Sequence, residues 1–128
     1  TIVYQKYFGD AFSQPNIGNS GVIYNTNSGE TFKIEEYNQG NLSSKTIWTY
    51  DTKNNPLKNV AGFNKQPLHF GKYNNNLTSD YYNSDNELVS NSTFEYSYNG
   101  NDFPTQCIQN LYNNATLSST VEINYFYE

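Results

Sequence analysis

The chain of 128 residues has no arginine and no methionine, and only one cysteine, one histidine and one tryptophan. Each scarcity excludes something. All seven basic residues are lysines and the net charge is −5, so the basic, arginine-bearing stripe that grips nucleic acid is missing. With Cys107 alone, no internal disulfide can form. Its setting, Gln106-Cys107-Ile108, reads as a small buried hydrophobe in a strand. A thiol or serine nucleophile needs a base, and the only histidine, His69, lies between Leu68 and Phe70 in a different kind of segment, with no Gly-x-Ser-x-Gly elbow anywhere. Transition-metal sites need His and Cys in clusters, so no cofactor or metal is expected. No apolar run is long enough for a membrane-spanning helix. No signal peptide is visible, and an opening Thr1 in place of Met reads as a trimmed mature form or a cut piece.

What the chain does have is rings. Aromatics make up 17%, with 13 Tyr and 8 Phe, while charged residues are only 15%. Tyrosine buries its ring and keeps its hydroxyl at a wet edge, which suits a thin sheet. Asn, Ser, Thr, Gly and Tyr dominate, and the first four favour turns over helix interiors. Period-2 alternation marks strands at 31–37, 42–50, 92–98 and 120–127. Phe94, Tyr96 and Tyr98 share one face of their strand, and Val121, Ile123, Tyr125 and Tyr127 share one face of theirs.

The strands are punctuated by one recurring cassette: a tyrosine, an Asn/Asp/Gly cluster, then an apolar residue. It occurs at Tyr37-Asn38-Gln39-Gly40-Asn41-Leu42, at Tyr50-Asp51 running to Leu57, at Tyr82-Asn83-Ser84-Asp85-Asn86-Glu87-Leu88 and at Tyr98-Asn99-Gly100-Asn101-Asp102-Phe103. Tyr112-Asn113-Asn114-Ala115-Thr116-Leu117 is a weaker copy, and Tyr24-Asn25 begins a longer one ending at Phe32. The leading tyrosines step by 13, 13, 32, 16 and 14 residues. One unit of that length is a strand plus a tight turn whose Asn and Gly tolerate positive φ. The prediction is an all-β domain over 1–128: one twisted antiparallel β-meander of seven to nine strands, curling towards a half-barrel. Residues 1–23 read as irregular, with a turn at Ser13-Gln14-Pro15-Asn16. Residues 58–76 break the rhythm and read as a long loop with a short helical turn that covers the aromatic face.

The cassettes resemble the YD repeats of Rhs-type bacterial surface proteins, whose units are longer and carry Gly-Arg where this chain has Asn-Pro or Asn-Glu. A closer resemblance, over roughly residues 24–128, is to uncharacterised secreted lipoproteins of Flavobacterium and other Bacteroidetes. It rests on Trp48-Thr49-Tyr50-Asp51-Thr52-Lys53-Asn54-Asn55-Pro56-Leu57-Lys58-Asn59-Val60, on Tyr96-Ser97-Tyr98-Asn99-Gly100-Asn101-Asp102-Phe103-Pro104 and on the aromatic ending Tyr125-Phe126-Tyr127-Glu128. The resemblance implies a secreted or outer-membrane-anchored protein. It carries no catalytic residues over, since that family has no established activity.

Few residue groups point to chemistry. Glu35 and Glu36 are adjacent, so on a strand they face opposite ways. Glu95 and Glu122 could meet across a sheet and support acid/base work, as in a hydrolase. Asn83, Asp85 and Glu87 alternate in one turn and Asn101 and Asp102 occupy another, but turn formation explains them without calcium. The N-x-S/T matches at Asn41, Asn76, Asn91 and Asn114 are expected by chance in so Asn-rich a chain. An aromatic sheet face bearing Trp48, Tyr50, Tyr96, Tyr98, Tyr125 and Tyr127 could stack on a sugar; the competing reading makes those rings the core. The leading expectation is a non-enzymatic secreted or envelope domain with a structural or interaction role, with a glycan- or small-ligand-binding module and a hydrolase as alternatives. Partners on these readings are a glycan, a cell-surface protein or a second copy joined through a sheet face or edge.

Overall fold

The computed structural model describes residues 3–7, 19–62 and 71–127. Eight strands form one antiparallel sheet: β1 Val3–Tyr7, β2 Asn19–Asn25, β3 Thr31–Asn38, β4 Asn41–Tyr50, β5 Asn76–Tyr82, β6 Leu88–Tyr98, β7 Pro104–Asn113 and β8 Thr116–Asn124. Their order in the sheet is their order in the chain, so the fold is the expected meander, open rather than closed into a barrel. Among the described residues there is no helix.

Every cassette with its return strand in view lies at a bend, and two turn designs make the bends. Gln39-Gly40 and Asn114-Ala115 are two-residue turns with both φ angles positive, at +50° and +81° and at +46° and +61°. That is the type I′ geometry whose twist matches the flanking strands. The other design begins on an oxygen-bearing cap residue at Thr26, Asn83 and Asn99. In each, the cap N–H donates to the carbonyl four residues on, and the N–H three residues on donates back to the cap carbonyl. The third residue after the cap, Gly29, Asn86 or Asp102, has φ of +91°, +64° or +63°. This is a type I turn closed by a left-handed residue. The cap side chain then takes up turn N–H groups: Asn83 Oδ1 accepts from Asp85 and Glu87, and Asn99 Oδ1 accepts from Asn101 and Phe103.

Each leading tyrosine also marks a break in register. The pairing shifts at Tyr24, Tyr37, Tyr50, Tyr82, Tyr98 and Tyr112. In all six hairpins the return strand carries one extra residue: Phe32, Ser43, Leu77, Val89, Thr105 or Ser118. A bulge of this kind steepens the local twist.

The β4–β5 connection obeys the same rule, stretched. Asp51 N–H donates to Asn75 O, and Asp51 Oδ1 accepts from Lys53 N and from Asn75 N. Asn75 thus takes the place that the fourth residue takes elsewhere, and the long connection is an insertion into a standard hairpin. Here the structure corrects the sequence reading, in which the cassette that begins at Tyr50-Asp51 ends at Leu57. Leu57 lies in a turn, and β5 starts at Asn76. Local turn chemistry at Asn54-Asn55-Pro56 imitates a cassette, but the pairing that closes the hairpin comes from Asn75. Residues 1–23 are likewise not wholly irregular: β1 pairs with β2 from Val3↔Tyr24 to Tyr7↔Ser20, because Val3-Tyr4 and Val22-Ile23 are β-formers. The final strand stops at Asn124, short of the expected 127. The turn expected at 13–16, His69, and the middle of the 58–76 loop lie outside the described residues. In the described part of that loop, the backbone forms turns, with Lys58 N–H donating to Asn55 O and Val60 N–H to Leu57 O, and no helical turn.

Register fixes two faces. Ile34, Trp48, Ser79, Ser92, Phe94, Tyr96, Cys107, Leu111 and Ile123 fall on one, called the inner face; Lys33, Glu35, Ile47, Asp80, Glu95, Ile108 and Glu122 fall on the other. Among the described residues the buried hydrophobes are Trp48 and Cys107, whereas Glu30, Thr31, Ser44 and Asn75 are buried polar residues. With so few buried hydrophobes among the described residues, turn hydrogen bonds carry unusual weight there.

Two variants test this. Ala115 holds a left-handed φ that costs an L-residue about 1–2 kcal/mol, so Ala115→Gly should raise the urea midpoint. Asn99→Ala should lower stability by about 1 kcal/mol through loss of its two side-chain acceptor bonds.

Candidate functional site

The turns β2–β3 and β6–β7, the β4–β5 insertion and the segment after β8 gather at one end of the sheet, and the six candidate aromatic residues are found there. Trp48 is 8% exposed. Tyr50 donates its hydroxyl to Thr31 O, and Tyr98 donates its hydroxyl to Asp51 Oδ2. The Tyr96 and Tyr98 rings lie 5.9 Å apart. Tyr127 donates to Pro104 O at 2.7 Å and meets Phe103 edge-on at 5.7 Å. Burial pushes the phenols of Tyr50, Tyr96, Tyr98 and Tyr125 upward, and likewise the Cys107 thiol, which stays protonated at neutral pH. The rings are brought together, then, but Trp48 is buried, Tyr50, Tyr96, Tyr98 and Tyr125 are half-buried, and three hydroxyls are committed to protein acceptors. Tyr127 alone of the six remains substantially exposed, at 45%.

Asp51 is the hub of this end. Its carboxylate accepts from Lys53 N, Asn75 N, Asn75 Nδ2 and Tyr98 OH. Asn75 Nδ2 donates also to Asn54 O, and Asn54 N–H and Nδ2 donate to Asp102 O and Asn101 O, lacing the insertion to the β6–β7 turn. On the other side, Glu30, 2% exposed, accepts from Lys72 N at 2.7 Å and Tyr73 N at 3.1 Å. Gly71 closes the insertion at φ +67°, where a Cβ would stand 3.1 Å from Asn74 O. The Oδ1 atoms of Asn75 and Asn76 are buried and accept no hydrogen bond among the described residues. Both acids are spent on protein donors, and no group of three His, Cys, Asp or Glu able to hold a metal exists among the described residues. The calcium-like turns are used up similarly: Asn83 caps its own turn, and Asp102 pairs with Lys53 at 2.7 Å.

The acids on the opposite face are separate from this end. Glu35 accepts from Tyr24 OH at 2.7 Å, Tyr37 OH at 2.9 Å and Lys33 Nζ at 2.9 Å, with Lys33 Nζ 3.8 Å from the Tyr24 ring centroid. Partial burial works against ionisation of Glu35, but these hydrogen bonds outweigh it and hold its pKa below the ordinary value. The same bonds raise Tyr24 and Tyr37. Glu36 points away and accepts from Ser44. Glu95 and Glu122 do share a cross-strand row, each facing Ile108. Both are exposed, and Glu122 Oε1 accepts from Gln106 and Asn124.

A groove of about 180 Å³ lies elsewhere on the inner face, lined by Ser79, Tyr81, Ser90, Asn91, Ser92, Leu111, Tyr112, Asn113 and Ser118. The sequence reading missed it. Its serines are scattered over three strands, and only the register Ser79↔Ser92↔Leu111 with Tyr81↔Ser90↔Asn113 assembles them. Small side chains between Trp48 and Leu111 in one row, and beside Tyr81 in the next, make the hollow.

Comparison of the chain with protein-family models, with curated proteins and with solved structures gives no significant match.

The Glu35 cluster gives a pH test. A carboxylate whose folded pKa is depressed adds stability above its unfolded pKa of about 4.3, lost as pH falls through the folded value. Tyr24 and Tyr37, raised on folding, add stability below about 10, lost as pH rises. Glu35→Gln should cost about 1 kcal/mol at neutral pH and flatten both the acid and the alkaline limb of the melting-temperature profile.

Proposed function

We propose that this chain is a non-enzymatic scaffold and interaction domain of the cell exterior, and that it makes contacts by strand addition at β8. The observation that carries the reading is the state of that strand. β8 is an edge nine residues long, with no neighbour on its outer side among the described residues. Every residue in it except Ile123 is exposed. It lacks proline and lysine, the usual blocks against pairing, and Leu117 and Val121 stand 52% and 42% exposed. The exterior location draws on the likeness of the tyrosine–turn cassettes to secreted and surface proteins, together with their use here purely as bends.

The partner we assign is a second copy. Antiparallel pairing of two β8 strands about Thr120 sets Leu117 opposite Ile123 and Ser119 opposite Val121. It also sets Glu122 opposite Ser118, so that the only charged residue of the strand never meets its twin. Such an isologous contact closes on itself. A hydrolase reading draws less support, because Glu95 and Glu122 stand exposed on the face opposite the groove.

Sedimentation velocity over a concentration series should show a monomer–dimer equilibrium. Thr120→Lys places two ammonium groups face to face at the centre and should leave only monomer, with the thermal melt of the monomer nearly unchanged. A wild-type chain that stays monomeric throughout, or a T120K variant that still dimerises, overturns the assignment.

A further inference from the structure

The groove over β5, β6 and β7 differs from the rest of the polar surface. On the opposite face of the same strands, polar side chains satisfy one another: Thr49 with Thr78 at 2.8 Å, Thr120 to Asn110 at 2.7 Å, Gln106 to Glu122 at 2.9 Å. At the turns, Asn and Asp side chains cap main-chain N–H groups. Among the described residues, none of the nine residues lining the groove spends its side chain on a protein hydrogen bond. Four serine hydroxyls, the Tyr81 hydroxyl and the Asn113 carboxamide belong to the inner-face members, whereas Asn91 and Tyr112, paired with each other and with Asp80, fall on the opposite face and line the groove through main chain; no lysine, aspartate or glutamate lines it. They bring donors and acceptors in similar number and no charge.

Shape adds to chemistry. A volume of about 180 Å³ is the share of roughly six waters, below the roughly 300 Å³ where sites for drug-sized ligands begin. Ser79, Ser90 and Ser92 are the small residues of the floor, while Tyr81, 41% exposed, and Leu111 supply apolar surface beside them. Ser118 is the extra residue of the β7–β8 bulge, a device that re-aims a side chain. A ligand that offers hydroxyls around its rim, an apolar ring face and no net charge matches this lining.

We infer that the groove is a binding site for one ring of a neutral saccharide, with the serine hydroxyls and Asn113 hydrogen-bonding the sugar hydroxyls and the Tyr81 ring lying against its apolar face. This site is separate from the six aromatic residues at the sheet's end, and Ser118 is the one lining residue it shares with β8. The sugar is held singly or as a unit of a longer chain. The free sugar and the polymer share this chemistry, and affinity for oligomers tells them apart.

The test is an amide chemical-shift titration of the full chain with neutral monosaccharides (glucose, galactose, N-acetylglucosamine) and with short neutral oligomers of each. The expected result is saturable shifts confined to residues 79, 81, 90, 92, 111 and 113 with a millimolar Kd. Tighter binding of an oligomer identifies a polymer as the source; equal binding identifies the free sugar. Ser92→Val fills the floor with a good strand former and should weaken binding at least tenfold. Tyr81→Ala, at an exposed position, should do the same and serves if the first variant folds poorly. No saturable shift with any of these sugars, shifts elsewhere on the sheet, or unchanged affinity in a folded variant overturns the site. A failure here leaves dimerisation through β8 untouched, and loss of dimerisation by T120K leaves the titration unaffected.

Discussion

A side-chain oxygen that takes up the loose N–H groups of a turn is the interaction from which the rest of this structure follows. Thr26, Asp51, Asn83 and Asn99 all do this at the same point, after a strand ends and before the chain doubles back. A buried or half-buried main-chain N–H left without a partner costs about 1–3 kcal/mol. The cap removes that cost within four or five residues of sequence. Each capped hairpin therefore closes largely through its own turn, which matters in a sheet whose buried hydrophobes among the described residues are Trp48 and Cys107.

The same interaction explains how a long insertion is tolerated. At β4–β5 the cap is Asp51, and an ionised carboxylate has two oxygens to give. One serves Lys53 N and Asn75 N as an ordinary cap would; the other holds Asn75 Nδ2 and the Tyr98 hydroxyl. The neck of the insertion is thus stitched shut where a short turn would have been, and the bulge that follows the other five tyrosine-led turns follows this one too, at Leu77. Charge at this cap is matched to the extra load: hydrogen bonds to an ionised acceptor are about twice as strong as neutral ones.

Much of this was legible in the residues because it is local. Period-2 alternation, the tyrosine spacing and the Asx-Gly clusters placed the bends and the order of strands, since a short turn can only join neighbours. What was not legible depends on pairing at a distance. Leu57 mimics the start of a return strand, and nothing short of the Asp51–Asn75 contact shows that the hairpin closes elsewhere. The six aromatic residues were legible as a cluster, but whether a ring faces solvent or protein depends on which turns fold against it; Tyr50 and Tyr98 reach acceptors 19 and 47 residues away. The groove left no trace in the sequence, because a serine in a strand carries no sign of what stands beside it one and two strands over.

The strand order β1 to β8 without a crossover has one more consequence. Every strand pairs only with its sequence neighbours, so the backbone ladder of the sheet is coupled along one dimension, as stacked repeats are. Opening from a free edge removes one hairpin at a time, and the Asp51 cap is the exception that also loses a partner, Tyr98, when β6 leaves. Evolution can lengthen or shorten such a ribbon by whole hairpins without redesigning an interior, and chain growth during synthesis can fold it strand by strand as each turn emerges.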